Sequence, residues 1–161
     1  MSLFPPQNIN AYTLSREDLD DPLSSFSHFP FELEDLEWQT VEHYFQAMKF
    51  ESAEYREKIR LVKDVQKARK LGKARFKRIR KDWNKIDEII MTRAVYTKAR
   101  THDVVAEALI DTGDQHILEK SQYDYIWGCG RDGRGLNKYG NVLMNVREKL
   151  LQERVALKGS E

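Results

Sequence analysis

From residue 40 onward, apolar positions recur every three or four residues, the period of a helix; before that they come in short, broken clusters. The period predicts a helix over Thr40–Lys49 in which Trp38, Val41, Phe45 and Met48 share one face. Glu42 and Lys49, seven positions apart, then project in nearly the same direction at the edge of that face, which predicts a half-buried Glu42. Short helices follow over Glu54–Val62 and Val65–Leu71, with Gly72 as a stop. Asp82 is placed to N-cap the longest helix, which carries Trp83, Ile86, Ile90 and Ala94 on one stripe and runs to about Ala99. Thr101 or Asp103 caps a further helix bearing Val104, Val105, Ala108 and Leu109, which Thr112-Gly113 ends. The last helix spans about Tyr139 to Glu153, with Val142, Val146 and Leu150 inward and a frayed polar tail from Arg154. Ahead of all this, Ala11–Leu14 and Phe29–Leu33 are apolar pieces broken by Pro22, Pro30, serines and acids, the signature of short irregular strands. The fold class is therefore mainly α (α+β): a compact helical domain with a small irregular β layer near the N-terminus.

A chain of 161 residues with 40% hydrophobic content can bury one core, so a single domain over 1–161 is expected, its core at about 9–153 and a tail at 154–161. No apolar run approaches the roughly 18 residues of a membrane span, and Pro5, Pro6 and early acids do not make a signal peptide, so a cytoplasmic location is expected. One cysteine, Cys129, and scattered His28, His43, His102 and His116 lack metal-ligand spacing; neither a metal nor a cofactor is expected.

Net charge is only +1, but it is sorted along the chain. Nine acids and no Lys or Arg lie between Glu17 and Met48, whereas Lys67, Arg69, Lys70, Lys73, Arg75, Lys77, Arg78, Arg80 and Lys81 form a run without an acid. Such a run suits a phosphate or nucleic acid; the alternative is a solvated surface paired with the acidic third. Phe76 is the only aromatic within it, so it is a poor stacking platform for single strands.

Two stretches carry chemistry. In Thr40–Lys49, burial raises the pKa of a carboxyl and a nearby ammonium lowers it, so Glu42 fits a general acid or base near neutral pH, with Lys49 either its ion-pair partner or an amine nucleophile. In 128–140, Gly128, Gly130, Gly133, Gly135 and Gly140 are five of the eight glycines in the chain, which suggests a loop whose amides face an anion ahead of the last helix. Gly128-Cys129-Gly130-Arg131-Asp132-Gly133 has the dinucleotide spacing but lacks the strand–turn–helix setting that gives it meaning, and no Walker lysine follows. Arg131 and Arg134 add charge there.

Together these stretches resemble the NADAR, or YbiA-like, family, over about Phe26 to Leu150. The landmarks are Phe26-Ser27-His28-Phe29, Glu42-His43-Tyr44-Phe45-Gln46-Ala47-Met48-Lys49, Asp82-Trp83, Leu109 to Gly113, Asp124-Tyr125-Ile126-Trp127-Gly128-Cys129-Gly130, and Asn137 to Arg147. The resemblance implies an N-glycosidase acting on phosphoribosylamino-pyrimidine intermediates of riboflavin synthesis, with Glu42, Trp83, Asp124 and Trp127 in the active site and Lys49 as a further candidate. ADP-ribose chemistry, with an ADP-ribosylated guanine base or nucleic acid as partner, is the alternative it leaves open; a non-catalytic helical module that binds nucleic acid through 67–81 is another. The family reads Ser-Asn-Phe where this chain has Ser27-His28-Phe29, which suggests that His28 alters substrate contacts.

The residues agree with that chemistry. Cleaving an N-glycosidic bond builds positive charge at the anomeric carbon, which one carboxylate stabilises while another group protonates the leaving nitrogen; Glu42 and Asp124 are the expected pair. Trp83 and Trp127 are expected to sandwich the pyrimidine. Arg69, Arg134, Gly128, Gly130 and Asn137 are expected to hold the rest of a phosphorylated substrate.

Overall fold

The computed structural model describes residues 10–160. Its elements run β1 (Tyr12–Leu14), β2 (Phe31–Leu33), β3 (Leu36–Trp38), α1 (Val41–Ala47), α2 (Ala53–Leu61), α3 (Val65–Gly72), α4 (Trp83–Thr101), α5 (Asp103–Asp111), β4 (Ile117–Glu119) and α6 (Lys138–Gly159). The α+β class predicted from the period holds, with one topological addition. The β layer is not confined to the N-terminal third: β1 pairs in parallel with β4, Tyr12 opposite Ile117 and Leu14 opposite Glu119, while β2 and β3 form a separate antiparallel hairpin.

Capping chemistry starts three of the helices. The side chains of Thr40, Ser52 and Asp64 accept from the amides of His43, Tyr55 and Gln66, which satisfies donors that a first turn leaves open. Asp82 stands at the start of α4 but caps nothing with its side chain, because Arg80 holds its carboxylate at 2.6 and 3.0 Å. His102, rather than Thr101 or Asp103, precedes α5. The polar tail continues as helix to Gly159, although its side chains beyond Leu150 no longer reach the core.

The largest departure from the expected pattern is α1. All seven of its residues are buried, because α2, α3 and α4 pack around it and close the side expected to face water. Trp38 belongs to β3 and is buried there. His43 is tied at both ring nitrogens, Nδ1 2.8 Å from Thr40 Oγ1 and Nε2 2.8 Å from the Val62 carbonyl. A carbonyl only accepts, so Nε2 carries a proton, and burial lowers the pKa of the ring, with the Val62 carbonyl opposing. From α4, the buried Lys98 Nζ donates to Ser24 O (2.8 Å) and Ser27 Oγ (2.9 Å), fixing the turn that carries Ser25 and Phe26 to the site. Burial lowers its pKa to about 7, with Asp21 opposing.

Candidate active site

The site is built around a charge pair inside the protein. The Glu42 carboxylate has no solvent exposure and accepts four hydrogen bonds: from Arg16 Nη2 (2.8 Å) and Ser25 Oγ (2.8 Å) on one oxygen, and from Gln46 Nε2 (2.7 Å) and Arg69 Nε (3.1 Å) on the other. Burial alone pushes its pKa up, but the charges of Arg16 and Arg69 and the bonds from Arg16 and Gln46 outweigh burial and hold it well below the usual carboxylate range. The expectation of a half-buried acid poised near neutral pH is therefore corrected: Glu42 is fully buried, its carboxyl is held below the usual range, and each of its oxygens accepts two hydrogen bonds. Of the two roles open to Lys49, ion-pair partner or nucleophile, the first is taken by Arg16 and Arg69.

Arg16 is the hub. Its guanidinium carbon lies 5.6 to 5.7 Å from the ring centres of Phe45, Trp127 and Tyr139, and its Nη1 is 4.0 Å from Asp124 Oδ2. A cation held over aromatic faces and paired with a carboxylate retains its charge when buried. Its backbone amide donates to Glu119 Oε1 at 3.0 Å; Glu119 is itself fully buried and accepts from Ser121 as well.

Above this pair opens a cleft of about 720 Å³, lined by Ser15, Arg16, Glu17, Arg69, Lys73 and residues 121–126, Asp124 among them. Asp124 Oδ1 accepts from the amides of Ile126 (3.0 Å) and Trp127 (2.8 Å), which leaves Oδ2 as its less engaged oxygen. Its side chain remains about 35% exposed, so unlike Glu42 it is reachable from solvent. Arg69 divides its guanidinium between Glu42 and Glu17 and lies over the Phe26 ring, 4.4 Å from its centre. Lys73 is exposed and, among the described residues, forms no ion pair. Lys49 sits just past α1 with its ammonium 5.7 Å from the Phe45 ring centre. Burial lowers its pKa to about 8; Glu42 opposes the shift, while Lys73, Arg16 and Arg69 add to it.

The glycine loop does not present its amides to an anion. Cys129 N donates to Glu119 O, Gly130 N to Ser121 O, Gly135 N to Cys129 O, Asn137 N to Gly128 O, and the first amides of α6, on Lys138 and Tyr139, to Ile126 O and Trp127 O. The loop folds back and fills its own helix terminus. Glycine is needed for that closeness: a Cβ on Gly128 would stand 2.3 Å from Glu119 Oε2, and one on Gly135 2.3 Å from the Gly128 carbonyl. Asn137 is structural too, since Oδ1 accepts from Glu119 N (2.9 Å) and Nδ2 donates to Ile117 O (2.8 Å). Arg134 pairs with Asp132 at 3.9 Å on the exposed outer side of the loop and does not line the cleft.

Nor do the two tryptophans form an open slot. Trp83 and Trp127 are each only 8% exposed, and both pack against Phe45, at centroid distances of 5.0 and 5.1 Å. His28 points to solvent, and it is Ser25, three residues earlier, that reaches Glu42. Arg16 and Ser25, which bond Glu42, and Glu119, which bonds the Arg16 amide, carry no site assignment from the sequence. Arg16 had a signal: it is the only Lys or Arg between residues 10 and 48, beside an acid that needs a cation.

No helix of the described residues is long and apolar enough to cross a membrane. The NADAR domain model matches residues 12–151. The chain is 37% identical over 146 residues to the N-glycosidase YbiA of Escherichia coli K12, covering 91% of this chain and 90% of that one. It is also 32% identical over 149 residues to the chloroplastic riboflavin biosynthesis protein PYRR of Zea mays, covering 83% of this chain and 24% of that longer protein. The NMR structure of E. coli YbiA superposes with a TM-score of 0.81 and 32% identity over 96% of both chains. With the helices, the parallel β1–β4 pair and the buried Glu42 in the same continuous span that the domain model covers, this chain belongs to the NADAR domain family.

Proposed function

We propose that this chain is an N-glycosidase that hydrolyses a phosphoribosylamino-pyrimidine, releasing ribose 5-phosphate and the free aminopyrimidine. One observation carries the reading: Asp124, Arg69 and Lys73 line a single cleft above the Arg16–Glu42 pair. That supplies a reachable carboxylate for the reacting carbon and cations for a phosphate, which are what the reaction requires. The names of the relatives, N-glycosidase and riboflavin biosynthesis protein, point the same way.

The C1′–N bond breaks, the leaving nitrogen gains a proton, and water supplies the oxygen that ends on C1′. Asp124 faces the positive charge that develops at C1′ and handles the proton of water. Glu42 acts at one remove, by fixing Arg16 and Arg69. Lys49 offers a second route to the same products: its neutral amine attacks C1′ and expels the aminopyrimidine, whose nitrogen takes the proton the lysine loses; the sugar ring then opens at the C1′–O bond to give the imine, and water hydrolyses that imine to free lysine and sugar. Borohydride during turnover separates the routes, since only the imine is reduced to a stable adduct on Lys49.

The deciding experiment is release of ribose 5-phosphate from 5-amino-6-(5-phosphoribosylamino)uracil by the purified protein. The expected outcome is turnover that Asp124→Asn abolishes, since Asn keeps the Oδ1 acceptor of the turn and loses the charge. ADP-ribosylated guanine is tested in parallel; activity there alone moves the substrate to the ADP-ribose class while keeping the bond type.

A further inference from the structure

If the reaction is the one proposed, the planar leaving group needs an apolar surface, and the two tryptophans do not offer one, because Phe45 and the core cover them. Another aromatic surface lies in the cleft. Tyr123 and Tyr125, on either side of Asp124, both line it, and they are 90% and 45% exposed. Solvent-facing tyrosines are common singly, but two that flank Asp124 in a cleft that also holds Arg69 and Lys73 form a concentrated aromatic rim. Tyr125 is also held in place: its ring lies directly over Gly130, where a Cβ would meet ring carbons at 2.3 to 2.6 Å, and Gly130 keeps a φ of +70° that suits glycine. The Tyr125 carbonyl accepts from Leu136 N at 2.8 Å, and the following amides close on Asp124. A ring fixed on one face and open on the other loses little freedom when a flat ligand stacks on it.

We infer that Tyr123 and Tyr125 form the stacking rim for the nitrogen heterocycle that leaves, with the sugar phosphate directed toward Arg69 and Lys73. This assignment rests on the N-glycosidase reading and sets the substrate class as N-glycosides of planar heteroaromatic amines rather than of small aliphatic amines.

The test uses the two products as separate probes, 5,6-diaminouracil and ribose 5-phosphate, each as an inhibitor of the wild-type protein and of Tyr123→Ala, Tyr125→Leu and the two Tyr→Phe variants. Removing either ring should weaken 5,6-diaminouracil about five- to a hundredfold, leave ribose 5-phosphate unchanged, and be restored by Phe, which keeps the stack without the hydroxyl. Equal loss for both probes, or no loss for 5,6-diaminouracil, overturns the rim. Tyr123 packs on almost nothing, so its variant remains informative should Tyr125→Leu lower stability. Should the wild type release no sugar at all, the proposed function fails by itself. Equilibrium dialysis of 5,6-diaminouracil then decides the rim: binding that needs the rings supports it, and binding that is absent or indifferent to them overturns it.

Discussion

At the level of single residues, the site depends on a buried carboxyl whose pKa its partners hold down. Glu42 carries its charge because Arg16 and Arg69 are beside it; Arg16→Ala removes the shorter of the two ion pairs, leaves Arg69 alone to offset a buried carboxylate, and should cost up to about 3–5 kcal/mol, read as a lower urea midpoint with an unchanged slope. The pH dependence follows from the same pair. The folded-state pKa of Glu42 is depressed, so its stabilisation is complete above its ordinary value of 4.5 and is lost as pH falls toward the folded value. Glu42→Gln should therefore flatten the loss of stability below pH 4.5. The folded pKa of Lys49 is also depressed, from 10.5 to about 8, but for a base the sign reverses: its ammonium destabilises the fold below 8, and stability recovers as pH rises from about 8 to 10.5. In the imine route only the neutral amine attacks, so kcat/KM should climb through about pH 8 and level off above it; a profile flat from 6 to 9 would exclude Lys49 as nucleophile. Glu42 could be singled out from its place at the edge of an apolar stripe, but its state could not be read. Protonation depends on which charges the fold brings near it, and Arg16 and Arg69 come from 26 and 27 positions away in opposite directions.

At the level of elements, helices were legible because their apolar period is local, and α2, α3, α5 and the start of α4 lie within a residue or two of where the spacing put them. The strand pair that closes the site was not. Three residues, Ile117–Glu119, carry too short an alternation to announce a strand, and their partner β1 lies over 100 positions earlier. The glycine loop was found but misread, since sequence shows that glycine permits close approach without showing what approaches. What approaches is the loop's own backbone, which gives a prediction. Gly135→Ala places a Cβ against the carbonyls of Gly128 and Cys129, which cannot swing aside as a side chain does. It should destabilise by about 1–3 kcal/mol or more and, because the same carbonyl network orients residues 124–130, lower kcat along with Tm. Gly159→Ala, with nothing within 4 Å, is the control and should leave both unchanged.

At the level of the whole molecule, the sorted charge of the sequence resolves into two parts with different uses. The acidic third and the basic run do meet, but only Arg69 bridges them, to Glu17 and Glu42; Arg80 is consumed by its neighbour Asp82. Lys73, one turn beyond Arg69, is thereby the cation of the run that lines the cleft without an acid of its own. A phosphate approaching the cleft meets one guanidinium already committed to two carboxylates and one exposed ammonium that is not. The uncommitted charge gains more from a new anion than the committed one, because it gives up only water in exchange. Lys73→Glu should therefore raise KM for the phosphorylated substrate roughly ten- to a hundredfold while leaving the dephosphorylated one nearly unaffected, and the KM difference between the two wild-type substrates should shrink as salt is raised. Arg134→Glu, on the outer side of the glycine loop, should change neither. If Arg134 proves the more sensitive position, the phosphate lies over the loop and not in the cleft, and the orientation of the sugar relative to Asp124 has to be reversed.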